Sequence, residues 1–263
     1  MQFGAEFSRF LPELRRHARA VCGVQQAGDD LVVATLERLT KSDVVPKDLP
    51  PKAALFAILT ELMNGPVGKS IITDTNANVS TATSVDRQAF LLTSVEQFDK
   101  ASTSRILGLS TPELSEALDK AYKHLAEEAP AEVLVIEDEF FIAMDLDQIL
   151  SDLGHHVAAL ARTRTEANKC IRETNPDLVL ADIHLADGSS GIDAARDILE
   201  IRDVPIVFVT AYPERLLTGL EPEPTYLVTK PFSRSAIQAT VSQALYKSRT
   251  DAGRPTTVGK NPN

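Results

Sequence analysis

Four apolar runs in the second half of this chain each end in a polar residue suited to magnesium and phosphate chemistry. Val133-Leu134-Val135-Ile136 runs into Glu137-Asp138, and Leu178-Val179-Leu180-Ala181 into Asp182. Val207-Phe208-Val209 runs into Thr210-Ala211, and Tyr226-Leu227-Val228-Thr229 into Lys230-Pro231. Each run reads as a buried strand, and open parallel sheets collect their functional groups at the carboxyl ends of strands. Asp182 is the candidate phosphoryl acceptor. Glu137, Asp138 and Asp182, brought together, would repel one another. Magnesium, which takes oxygen ligands and is usually held by one or two carboxylates plus phosphate, would relieve that. The main-chain carbonyl of His184 is a further candidate ligand, its imidazole being expected in a solvated loop. Lys230 offers a point charge to one phosphoryl oxygen, the Thr210 hydroxyl can donate to another, and the small Ala211 leaves an approach to the acceptor.

The elements that must position these groups alternate. Strands are expected near 133–137, 156–160, 178–182, 205–210 and 225–229, with the first at the centre of the sheet. Helices are expected near 139–153, 164–174, 191–202, about 213–219, and 233–247. That pattern is an α/β, flavodoxin-like domain, a doubly wound five-stranded parallel sheet spanning 133–250. Its fourth helix is poorly specified, because Pro213, Gly219, Pro222 and Pro224 leave it barely two turns. Residues 251–263 read as a disordered tail.

Residues 1–126 carry helical periodicity instead, an all-α domain. Phe7, Phe10, Leu11, Leu14, Ala18 and Val21 share one face. Asp29-Asp30 reads as the start of a second helix, with Leu31, Ala34, Thr35 and Leu39 inward. A third helix runs from Lys52 to Met63 with Leu55, Ile58, Leu59 and Leu62 as its stripe. Residues 65–84, rich in Gly, Ser, Thr, Asn and Asp, read as a long loop between units 1–64 and 85–126. Helices over 86–98, about 102–107 and 111–125 follow. The last pair, joined by Gly108-Leu109-Ser110, has the look of a helix-turn-helix, with Thr111-Pro112 opening its second helix. The charged, proline-broken stretch 127–132 is the expected linker.

Composition bounds the function. Of 263 residues 43% are hydrophobic and 24% charged, a globular balance. No apolar run approaches the roughly 20 residues that span a bilayer, so a cytoplasmic protein without membrane contact is expected. The net charge of −10 is uneven, −1 over residues 1–126 and −9 over 127–263, and neither half is basic enough to advertise nucleic-acid binding. Cys22 and Cys170 are expected as reduced thiols. The adjacent His155-His156 would diverge on a strand and makes a poor metal site.

The stretch from Val133 to Lys247 resembles response-regulator receiver domains, carrying the acidic pair, acceptor aspartate, threonine and Lys-Pro in order. The resemblance implies a cis Lys230-Pro231 bond and a cognate sensor histidine kinase as phosphodonor. It also exposes a departure. The aromatic residue that reports phosphorylation in many receivers lies three positions before the lysine, where this chain has Leu227. The nearest aromatic, and so the possible switch residue, is Tyr226. The fourth helix, fifth strand and fifth helix are the candidate docking face for the other domain.

The helical half resembles an extracytoplasmic-function sigma factor, with 11–20 and 29–37 similar to its region two and 106–125 to its region four. The DNA-contacting positions are altered: Thr60-Glu61 and Gly65-Pro66 follow Leu55-Phe56-Ala57-Ile58-Leu59, and Glu113, Glu116 and Asp119 make the second helix acidic. Phosphate neutralisation supplies most non-specific DNA affinity, so no direct DNA binding is expected. The paired resemblance, with the receiver second, points to PhyR-type general stress response regulators. In that family the sigma-like domain is a decoy. Phosphorylation releases it from the receiver, it captures a NepR-type anti-sigma factor, and an EcfG-type sigma factor is freed. The resemblance thus implies a regulator rather than an enzyme. One alternative is a phosphorylation-gated sigma factor that binds polymerase and promoter itself. Another is an enzyme acting on a diffusible phosphorylated substrate, for which the chain supplies no second substrate site or lid.

Overall fold

The structure, a computed structural model, describes residues 3–40, 46, 48–74, 84–185, 187–213 and 224–252. The first half folds as α1 (Phe3–Ser8), α2 (Leu11–Cys22), α3 (Gln25–Thr40), α4 (Pro51–Asn64), α5 (Pro66–Asp74), α6 (Val85–Ser94), α7 (Lys100–Leu107) and α8 (Thr111–Ala126). Phe7, Leu14, Ala18 and Val21 meet Leu31, Leu55, Phe56 and Leu59 in one core.

Three local expectations change. Asp29 does not open a helix; α3 begins four residues earlier, at Gln25. The carboxylate is taken instead by the buried Arg19, which donates two bonds to it at 2.8 and 2.7 Å. A long-range ion pair outcompetes the local pattern. The expected loop 65–84 is helical over Pro66–Asp74: proline presets the first turn, and Ile71 packs against the core. Residues 75–83 of that loop lie outside the described residues. The cap of α8 is Ser110 rather than Thr111, and Glu113 completes a capping box. Gly108, at φ +67, makes the turn from α7 that an ordinary side chain would strain.

The second half contains β1 (Glu132–Ile136), α9 (Phe140–Asp152), β2 (His156–Ala161), α10 (Arg164–Glu173), β3 (Leu178–Ala181), α11 (Gly191–Ile201), β4 (Ile206–Thr210), β5 (Tyr226–Thr229) and α12 (Arg234–Ala252). All pairings are parallel, in the order β2-β1-β3-β4-β5. The central strand is therefore β3, the one followed by Asp182, and not β1. Val133, Val135, Leu178, Leu180, Val207 and Val209 face α9 and α12. Leu134, Ile136, Val179, Phe208 and Leu227 face α10 and α11. Both faces are covered, which is why the strands read as continuous apolar runs. The expected fourth helix, about 213–219, lies outside the described residues apart from Pro213. The expected tail begins late: Asp251 and Ala252 still belong to α12, and 253–263 lie outside the described residues.

The halves interlock through α12, which packs on both α2 and α6, while α2 also meets β5. Ala239 of α12 belongs to the helical core and Ala20 of α2 to the sheet core. Lys230-Pro231 is cis. No helix among the described residues is long and apolar enough to cross a membrane.

Candidate functional site

β1 and β3 run side by side, and the amide of Asp182 donates to the Ile136 carbonyl at 2.9 Å. That register brings the residue after β3 level with the residues after β1. One ligand oxygen from each of Glu137, Asp138 and Asp182 lies within 4.8 Å of the others. Asp182 Oδ1 accepts from the main-chain amides of Ile183 at 2.6 Å and His184 at 3.4 Å, which orients the carboxylate. Its Oδ2 accepts from Lys230 Nζ at 2.7 Å, and the same ammonium donates to Glu137 Oε2 at 2.8 Å.

The electrostatics follow from burial. Glu137 is 2% exposed, and loss of hydration raises its pKa although Lys230 works in the other direction. Burial alone would lower the pKa of Lys230, but its bonds to Asp182 and Glu137 outweigh that and raise it. The ammonium is thus a fixed cation between two buried acids. An all-oxygen cluster with a half-buried third carboxylate, Asp138, is the donor set that suits a hard divalent ion.

The other sequence-predicted residues surround this centre. Thr210 is fully buried at the end of β4; its carbonyl accepts from the Lys230 amide at 2.8 Å, and its hydroxyl accepts from the Tyr212 amide at 3.1 Å. Ala211 is exposed. His184 pairs edge-on with Tyr212, ring centroids 4.7 Å apart. Tyr226 is not brought to the site. It begins β5, a strand length from Lys230, and is buried on the α12 face, whereas Leu227 faces the opposite side of the sheet.

Sequence reasoning missed three contributors. A Cβ on Gly191 would lie 1.7 Å from the Asp182 carbonyl oxygen, so only glycine lets α11 start against Asp182; a glycine directly after Ser189-Ser190 at a helix start was the available signal. Arg162 donates to the Asp138 carbonyl at 3.2 Å. Thr229, next to Lys230, accepts a long 3.4 Å bond from Arg16 of α2, a contact that no local pattern announces.

Family models match the chain in three places: the Sigma2 domain of PhyR over residues 7–60, the PhyR sigma-like domain over 80–128, and the response regulator receiver domain over 133–242. The phyllosphere-induced regulator PhyR of Methylorubrum extorquens is 44% identical over 244 residues, 90% of this chain and 91% of that protein. The chain belongs to the PhyR family. The crystal structure of the response regulator PhyR from Brucella abortus superposes with a TM-score of 0.85 at 38% identity, covering 96% of this chain and 97% of that one. The anti-anti-sigma factor PhyR from Bartonella quintana gives 0.85 at 40% identity, covering 95% and 98%. The helical half is therefore the PhyR sigma-like domain and the sheet half a response-regulator receiver.

Proposed function

We propose that phosphorylation of Asp182 by a sensor histidine kinase opens this molecule, and that the freed sigma-like domain captures a NepR-type anti-sigma factor, releasing a sigma factor for stress transcription. The Bartonella relative is described as an anti-anti-sigma factor and has been crystallised with the anti-sigma factor NepR. One observation in this chain carries the reading: Thr229, the last residue of β5, and Lys230, the residue that follows it, serve the two ends of the switch. Lys230 holds the acceptor, and Thr229 accepts from Arg16 of the sigma-like domain.

Oδ2 of Asp182 is the nucleophile, because Oδ1 is committed to two main-chain amides. Glu137, Asp138 and Asp182 would hold magnesium, with the His184 carbonyl completing the set; the ion supplies positive charge to the transferring phosphoryl group. Lys230 then bridges to a phosphoryl oxygen, and the Thr210 hydroxyl turns from the Tyr212 amide to donate to another. Thr210 ends β4 and Lys230 follows β5, so their movement strains the end of β5, on which α2 rests. The new charge shifts an equilibrium between closed and open forms by its differential interaction with them.

Direct promoter binding is disfavoured. The exposed face of α8 carries Glu113, Glu116 and Asp119, and Lys120 is engaged by Glu116. The test is acetyl phosphate with magnesium, read by intact mass and by affinity for a NepR-type protein. Wild type should gain one phosphoryl group and bind. Asp182→Ala should do neither; an Asp182→Ala protein that gained affinity on treatment refutes the acceptor assignment.

A further inference from the structure

We infer that Arg87 and Glu128 form the latch that sets how tightly the unphosphorylated molecule stays shut, with the segment after α8 acting as a strap and not as a passive tether. This rests on the closed-to-open reading above and assigns its energetic control to a place remote from Asp182. Arg87 projects from α6. Its Nη2 donates to Glu128 Oε1 at 3.0 Å, and its Nη1 donates to the Ser242 hydroxyl oxygen at 3.1 Å and, more weakly, to the Ser242 carbonyl at 3.5 Å. The guanidinium carbon lies 4.0 Å from the centroid of Tyr246. The Ser242 hydroxyl also donates to Glu128. One sigma-like arginine is thus gripped at once by the strap and by two residues of α12.

The strap is tied further along. Arg249 of α12 donates to the carbonyls of Ala129 at 2.9 Å and Pro130 at 3.3 Å. α8 runs directly into this segment, so the strap ties the end of the sigma-like domain to α12 through Ser242 as well as through Arg249. Arg87 and Glu128 expose only 12% and 10% of their side chains, and Glu128 Oε2 is buried without a hydrogen-bond partner. A charge left alone there is costly, whereas replacing both members of a buried pair by neutral groups is often harmless. Opening the molecule returns both side chains to water. Removing either charge alone therefore penalises the closed form specifically, and removing both relieves the penalty.

The experiment follows the open fraction of the full-length protein by small-angle X-ray scattering, before and after acetyl phosphate with magnesium. Arg87→Ala and Glu128→Gln should each raise the open-to-closed ratio of the untreated protein by about tenfold or more. The pair Arg87→Met with Glu128→Gln should return it to within about threefold of wild type. Tyr246→Leu, which keeps an apolar side chain but removes the ring face beneath the guanidinium, should open the molecule by about threefold. All variants should still open on phosphorylation, since none touches the acceptor. If Arg87→Ala, Glu128→Gln and Tyr246→Leu all leave the untreated ratio unchanged while each folds by circular dichroism, the latch is wrong. If the double variant is more open than either single one, the pair is additive packing and the latch is equally wrong. A wild type that stays shut after verified phosphorylation instead overturns the closed-to-open reading, and the untreated ratios still decide the latch.

Discussion

Gln243 of α12 donates from Nε2 to the main-chain carbonyl of Ala20 in α2 at 3.0 Å, both residues being buried where the two domains meet. A side chain on the receiver thus satisfies a helix carbonyl on the sigma-like domain. Such a contact belongs to the closed form alone. A net hydrogen bond is worth about 1 kcal/mol, so Gln243→Ala should raise the untreated open fraction by roughly fivefold, with faster amide exchange in α2 as the readout.

Lys230 supports the receiver's stability as well as its signalling. Lys230→Met would leave Glu137 and Asp182 buried without their cation, and loss of one partner from a buried pair costs about 3–5 kcal/mol. The melting temperature should fall. Because the acids could then share a divalent ion, magnesium should raise the melting temperature of Lys230→Met more than that of wild type. Equal magnesium responses would argue against the shared carboxylate site. Since ligands must be deprotonated and burial raises Glu137, magnesium affinity should weaken as pH falls into that raised range.

His17 sets a pH limit on the sigma-like domain. It is fully buried against Phe56, and burial lowers its pKa from 6.5 to about 4, with nearby Arg16 and Lys52 adding to the effect against the pull of Glu96. A base whose folded pKa is depressed binds fewer protons folded than unfolded between those values. Its contribution is therefore intact above pH 6.5 and is lost as pH drops toward 4, by about 3 kcal/mol. His17→Phe should flatten the fall in urea midpoint between pH 7 and pH 4.5.

Gly191→Ala should disturb the backbone at Asp182 without altering any polar group there. The added carbon must displace the Asp182 carbonyl or the start of α11, and overpacking costs about 1–3 kcal/mol. Phosphorylation by acetyl phosphate should slow and the melting temperature drop; an unchanged rate would show that the strand end gives way freely.

The acidic face of α8 makes a prediction for nucleic acid. In a gel-shift titration at low salt, phosphorylated wild type should show no promoter-specific complex. Neutralising Glu113, Glu116 and Asp119 together should raise only non-specific affinity, with a steeper salt dependence.

The convergence of groups around Asp182 was legible along the chain because a parallel sheet converts sequence into place. Each strand deposits its last residue at the same edge, so four short motifs suffice to forecast that Glu137, Asp138, Asp182 and Lys230 converge. Helical periodicity did the same for the core residues of α2 and α4. What the chain could not announce was partnership at a distance. Asp29 looked like a helix start until Arg19 claimed it, residues 66–74 looked like loop until Ile71 found a core, and Tyr226 by itself did not tell that it packs on the α12 face of the sheet. Thr240, Ser242 and Gln243 carry no apolar signal, yet they are buried, because the sigma-like domain covers α12 from the far side. A receiver helix with a polar outer face reads as solvent-exposed, and only the tertiary structure reveals that another domain takes the place of water.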